Sequence, residues 1–179
     1  MRRVIVSTYV TLDGRVDEVR DWALPYDDEE SARYHTDLLR NSDGLLLGRK
    51  TYELFAAIWP SRSGEHPVAD RINGMAKHVA STTLENLEWE NSHLIEGDVP
   101  EGVASLKRQP GGDLIVYGCH DLMHSLLEHD LIDEYRLLIH PVVVGRGRTF
   151  LDDGVQRMAL DLVDTAVIPP GVAILTYRR

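Results

Sequence analysis

Hydrophobic and polar positions alternate along the chain in short blocks, and the period switches between strand-like and helix-like. Val4 to Leu12 is rich in β-branched and aromatic residues and closes at Asp13-Gly14, which predicts a first strand and a turn. Asp27 to Arg40 crowds acids into its first turn and places Arg40 near its end, the charge order a helix dipole favours. Gly44 to Gly48 is an apolar run read as a buried strand. Thr51 to Trp59 carries Tyr52, Phe55, Ala56 and Trp59 at helical spacing and stops at Pro60. Pro67 to Met75 predicts a short helix, and Lys77 to Ser81 and Ser92 to Ile95 predict short strands. Pro100 to Lys107 reads as a helix with proline in its first turn. Pro110-Gly111-Gly112 breaks the chain before a strand at Asp113 to Tyr117; Gly118 and a helix over Asp121 to Glu128 follow. Asp133 to Val144 predicts a long strand. Leu160 to Ile168 and Val172 to Arg178 predict a hairpin around Pro169-Pro170-Gly171.

Alternating strands and helices with two adjacent strands at the end imply an α/β domain with a mixed, mostly parallel sheet and a C-terminal antiparallel hairpin. The 179 residues suit a single well-buried domain over 1–179. Hydrophobic residues at 43% and charged residues at 27% are an ordinary soluble mixture. A formal net charge of −10 disfavours non-specific binding to nucleic acid or anionic membranes, yet leaves room for a small anion held by local cations. Much of the acid sits in Asp17 to Glu30, read as a solvated loop and helix start. No apolar run approaches the ~18 residues of a membrane span. Cys119 is the only cysteine, so an internal disulfide is impossible and a reducing cytoplasm is the expected compartment.

Chemistry is concentrated where strands end. Gly48-Arg49-Lys50-Thr51 joins an apolar strand directly to a helix, leaving free backbone N–H groups and a favourable dipole beside two cations and a hydroxyl. Ser81-Thr82-Thr83 and Gly118-Cys119-His120-Asp121 end two further strands. In open α/β sheets, ligands bind across the carboxyl ends of strands, so three such ends predict an extended ligand with several phosphates. The bland alternatives are a helix cap at Ser81 and a tight turn at Gly118. Two known phosphate fingerprints are excluded. Gly44 and Gly48 enclose three residues where a P-loop needs four, and Gly145-Arg146-Gly147 lacks the third glycine of a dinucleotide motif.

Gly48-Arg49-Lys50-Thr51-Tyr52-Glu53 resembles the Gly-Arg-x-Thr-Trp/Tyr-Glu motif of the dihydrofolate reductase superfamily. Thr11-Leu12-Asp13-Gly14 is similar to a signature of the branch containing the riboflavin-biosynthesis reductase domain. Leu114 to Leu122 resembles the third cofactor loop of that branch. Asp133 to Leu137 with His140 to Gly145 resembles its Asp-Glu-x-x-x…Pro-x-x-x-Gly strand, and Phe150 also fits. The resemblance implies a dihydrofolate-reductase-like fold and an NADPH-dependent reductase acting on a small pteridine, pyrimidine or carbonyl/imine compound. By position it implies Gly48, Arg49, Lys50 and Thr51 at the cofactor phosphates and Ser81 and Thr82 near the adenosine 2′-phosphate. Tyr117, Gly118, Cys119, His120, Asp121 and Leu122 would lie around the pyrophosphate. It also implies a homodimer. The third loop departs from the usual glycine-rich pattern at Cys119 and His120.

For the proton that accompanies hydride transfer, Asp27 and Asp13 are the candidates. Trp22-Ala-Leu-Pro-Tyr-Asp27 locally resembles the segment that carries the active-site carboxylate of dihydrofolate reductases, and burial there would raise its pKa. The plainer reading makes Asp27 an exposed acid at a helix start and Asp13 a turn residue. Trp22, Tyr52 and Phe55 are candidates to wall a flat substrate, or core residues at helical spacing. Two alternatives remain: a non-catalytic nucleotide-binding module on the same fold, and a metal hydrolase using His120 and His124. The second lacks the Glu of the zinc-protease motif, where Asp121 stands, and no metal is the expectation.

Overall fold

The computed structural model describes residues 1–118, 120–151 and 155–179. Its apolar runs become β1 (Val4–Thr11), β2 (Ser42–Gly48), β3 (Ala76–Ala80), β4 (Ser92–Leu94), β5 (Asp113–Tyr117), β6 (Glu134–His140), β7 (Asp161–Ile168) and β8 (Val172–Arg178). These described strands form one sheet in the order β4-β3-β2-β5-β1-β6-β8-β7. Pairing is parallel from β4 through β6, and β8 runs antiparallel to both β6 and β7. Six parallel strands therefore present their carboxyl ends at one edge of the sheet. The expected α/β architecture, mixed sheet and closing hairpin are all present.

Because side chains alternate along a strand, the sheet has two apolar faces. Ile5, Leu45, Leu47, Val79 and Ile115 point to one face and meet Leu38, Leu39, Tyr52, Val68 and Ile72. Those partners come from α2 (Glu29–Arg40), α3 (Arg49–Ile58) and α4 (Pro67–Gly74). Val4, Val6, Leu46, Leu114 and Val116 point to the other, against Val103, Met123, Leu126 and Leu127. That side is covered by α5 (Val99–Arg108) and α6 (Asp121–Glu128). The outcome is three layers with the sheet in the middle.

Capping sets the helix starts. Asp28 accepts from the Ser31 N–H at 3.0 Å and Asp98 from the Glu101 N–H at 2.9 Å, each satisfying a donor the helix cannot. Helix α3 begins at Arg49, two residues before the expected start, with Gly48 as its N-cap. The free donors thus follow the strand with no spacer.

Three differences from the sequence reading have local causes. Strand β6 stops at His140, short of the expected Val144, because Pro141 has no ladder N–H and the next residues turn toward Asp13. The acidic stretch after Asp17 is not simply a solvated loop: α1 (Val19–Ala23) forms there, with Trp22 and Ala23 buried. The Trp22 indole N–H donates to the Asp17 carbonyl at 2.8 Å. The start of α2 is Glu29, because Asp28 is spent as its cap.

Two buried charges fix the strand starts. Glu134 is fully buried at the head of β6, where Arg136 Nε donates at 2.6 Å, Arg178 Nε at 2.8 Å and Arg3 at 3.1 Å. Lys77 is equally buried in β3 and donates to the Asn73 and Met75 carbonyls at 2.6 and 3.0 Å, under the Trp89 ring. Among the described residues no helix is long and apolar enough to cross a membrane.

Candidate functional site

The carboxyl ends of β2, β3 and β5 open into one cleft of about 420 Å³. Gly48 to Thr51 form one wall, Ala80 to Thr83 a second, and Tyr117, Gly118, His120, Asp121 and Leu122 a third. All three turns picked out by sequence therefore meet at one place. Cys119 lies outside the described residues.

The walls are tied together by side chains. The Arg49 guanidinium donates to Thr83 Oγ1 at 2.7 Å and to Glu53 at 2.8 Å, so it bridges the ends of β2 and β3. Ser81 Oγ accepts from the Thr83 and Leu84 N–H groups at 3.2 and 3.0 Å, holding the second turn in shape. Gly118 has φ +80°, and a Cβ on it would fall 2.9 Å from Thr51 Oγ1. Only glycine accommodates both that backbone and the approach of the two strand ends. His120, at φ +106°, is the buried N-cap of α6, and its ring lies 5.9 Å from that of His124. Among the described residues there is no group of three His, Cys, Asp or Glu that could hold a metal ion.

Sequence reading missed Arg148, which lines the same cleft from the loop after β6. Its N–H donates to Asp17 Oδ2 at 2.8 Å, and its Nε lies 3.4 Å from Asp17 Oδ1. The Arg148 N–H and charge hold the Asp17 carboxyl below the usual range. Asp13 braces the same loop: it accepts from Thr11 Oγ1 at 2.6 Å, Gly145 N–H at 2.8 Å and Val144 N–H at 3.2 Å. These bonds, Thr11's foremost, pull its carboxyl down to about 2. Asp13 is thus ionised at neutral pH with its oxygens engaged. The signal for Arg148 lay in Gly145-Arg-Gly-Arg148, a flexible basic run after a strand.

The other candidates lie apart from the cleft walls. Asp27 is exposed, just after the turn Leu24–Tyr26. Trp22 is buried with its ring edge-on to His140 at 5.1 Å. Tyr52 is a core residue whose hydroxyl accepts from the Trp89 N–H at 3.2 Å. Phe55 packs 5.8 Å from Tyr117, beside the cleft.

A second polar group stands next to that wall. The Tyr9 hydroxyl is 2.8 Å from His35 Nε2, and the Tyr117 hydroxyl is 3.1 Å from His35 Nδ1. Burial holds the His35 imidazole down to about 4 and pushes the Tyr9 phenol up to about 12. Neither residue carried a sequence motif.

A cleft with three cations on its walls, glycine at a close approach and free helix donors suits a phosphorylated ligand. Its size lies within the roughly 300–1,000 Å³ of small-molecule sites. The family model of the RibD C-terminal domain matches residues 2–174. The uncharacterized protein YyaP of Bacillus subtilis strain 168 is 33% identical over 99% of this chain and 95% of its own length. A solved protein assigned to riboflavin biosynthesis, from Shewanella sp. PV-4, superposes with TM-score 0.78 at 22% identity, covering 99% of this chain and 98% of that one. A diaminohydroxyphosphoribosylaminopyrimidine deaminase/5-amino-6-(5-phosphoribosylamino)uracil reductase from Thermotoga maritima superposes with TM-score 0.66 at 16% identity. This chain spans 99% of itself but 56% of that one.

Proposed function

The chain belongs to the RibD C-terminal domain family, and from that premise we propose that it is an NADPH-dependent reductase of a small pteridine, pyrimidine or carbonyl/imine compound. The observation that carries this reading is the convergence of three strand ends and Arg148 on one cleft. Arg49, Lys50 and Arg148 would neutralise the cofactor phosphates. The first N–H groups of α3 and the hydroxyls of Thr51 and Thr82 would add hydrogen bonds. Gly118 would let the third strand end approach closely. Held by these residues, a reduced nicotinamide would supply the hydride that the acceptor's electrophilic carbon takes up. The protein's part is to hold that carbon close and oriented, and to deliver a proton.

The acceptor would lie on the α2 and α3 side of the cleft, where Phe55, Tyr9, His35 and Tyr117 gather. Those rings suit a flat heterocycle. We also read the protein as a cytoplasmic homodimer. Strand β7 is an edge strand exposed along nearly its whole length, with Leu162 and Val167 in solvent, which favours pairing with a second copy.

The test is steady oxidation of NADPH against a panel of dihydropteridines, aminopyrimidines and simple imines. Turnover with one class establishes the reductase. Tight NADPH binding with no turnover across the panel favours the non-catalytic nucleotide-binding module.

A further inference from the structure

On β1, Ser7 pairs with Tyr117 of β5, and Tyr9 follows two residues later on the same face. Helix α2 crosses that face and sets His35 between the two phenols. The imidazole touches Tyr9 through Nε2 at 2.8 Å and Tyr117 through Nδ1 at 3.1 Å. Tyr117 also lines the cleft, whereas Tyr9 lies toward the exposed Asp27, whose charge it feels. The three groups therefore form a continuous chain of exchangeable protons that ends on a residue of the cleft wall, with the Tyr117 hydroxyl itself buried against His35.

We propose that Tyr9, His35 and Tyr117 form a proton relay that delivers to the cleft the proton required by the reduction. The proposal rests on the reductase reading and supplies the proton source that reading lacks. The balance is one hydride from reduced nicotinamide to the acceptor carbon and one proton to its oxygen or nitrogen. The Tyr117 O–H bond breaks toward the acceptor. His35 Nδ1–H passes to the Tyr117 oxygen, Tyr9 O–H passes to Nε2, and water reprotonates Tyr9.

Protonation states suit this role. A neutral imidazole has one donor nitrogen and one acceptor, so it can pass a proton through, whereas a cationic one can only donate. Burial, aided by the facing His66, keeps His35 neutral. Burial likewise raises both phenols, so each hydroxyl keeps its proton at rest. The other polar and charged groups around the relay are Ser31, Asp27 and His140 beside Tyr9, the last with its ring 4.8 Å away, Tyr34 beside His35, and Arg136 near Tyr117. Asp13 is bound into its loop and stands outside this chain.

The test reads the imidazole directly, in the whole cofactor-free protein, by 15N NMR of His35 between pH 5.5 and 8. A relay populates both neutral tautomers, so the two ring nitrogens move toward averaged shifts. Tyr117→Phe, or Tyr9→Phe should the first fail to fold, returns them to separate donor-like and acceptor-like positions. A single fixed tautomer in the unaltered protein, unmoved by either substitution, overturns the relay and leaves a structural bridge. No cofactor is needed, so failure to bind NADPH would count against the reductase reading alone.

Discussion

The hydroxyl of Thr51 lies so close to Gly118 that a β-carbon there would come within 2.9 Å of it. This contact joins the first helical turn after β2 to the end of β5, across the floor of the cleft. Gly118→Ala adds a steric conflict to a backbone at φ +80°, which alone costs about 1–2 kcal/mol for an L-residue. The variant should melt several degrees lower and bind NADPH on the order of tenfold more weakly, since ~1.4 kcal/mol is one decade in affinity. Adding Thr51→Ala should recover the steric part and leave the backbone part. A double-mutant cycle on melting temperature measures the split.

Glu134 is fully buried among Arg3, Arg136 and Arg178. Burial alone would raise its carboxyl; hydrogen bonds from Arg136 and Arg178, with the charges of Arg136 and Arg3, outweigh it and leave the pKa below the ordinary value. A carboxyl lowered in the folded state stabilises it fully above the unfolded pKa of 4.5, and that stability is lost as pH falls through the folded value. Glu134→Ala should cost about 1–3 kcal/mol in urea unfolding, because charge-assisted hydrogen bonds are lost while Arg3 and Arg178, 42% and 49% exposed, can turn to water. The same variant should have a flatter stability profile in acid.

Asp13 and Asp17 staple the loop that carries Arg148 to the cleft. Asp13→Asn should keep the fold and weaken NADPH binding about as much as Arg148→Ala, with the double variant no worse than either. With its carboxyl held at about 2, the Asp13 contribution to stability is complete above pH 3.8 and disappears only as pH falls through about 2. Between pH 4 and 7 the loop bonds should therefore be constant, which amide exchange at Val144 and Gly145 reports.

The proposed dimer has a simple readout. Val167 is 71% exposed and Leu162 52% exposed on edge strand β7. Charged residues on that strand, Leu162→Lys with Val167→Lys, should give a monomer by light scattering with an unchanged circular dichroism spectrum. A dimer that survives both changes would place the interface elsewhere.

What was legible in the sequence was local. The strand-glycine-helix junction at Gly48 can be read from adjacent residues, as can the turns after β3 and β5, because each signal lies within one segment. Parallel pairing then brings the three together without further instruction. The run Gly145 to Arg148 marks a basic loop, but the arrival of Arg148 at the cleft is not written in any one segment. Arg148 reaches the cleft through bonds between Asp13 or Asp17 and residues 131 or 132 positions away. The link of Tyr9 and His35 to Tyr117 was hidden for the same reason: the three lie in different elements, and only Tyr117 falls within a segment that carried a resemblance. Helix α1 was masked by acids that surround two buried residues, Trp22 and Ala23. The two candidate carboxylates sit in different settings: Asp13 in the brace of the loop, Asp27 exposed after the turn Leu24–Tyr26.

The reductase reading stands on the proposed seat for reduced nicotinamide dinucleotide phosphate in the cleft. It is tested most directly by titrating the protein with NADPH and NADH while following energy transfer from Trp22, Trp59 and Trp89. Saturable micromolar binding of NADPH is expected, weakened several-fold by each of Arg49→Ala and Arg148→Ala with no loss of folded structure. Absence of binding by either cofactor, or binding indifferent to both substitutions, would contradict it.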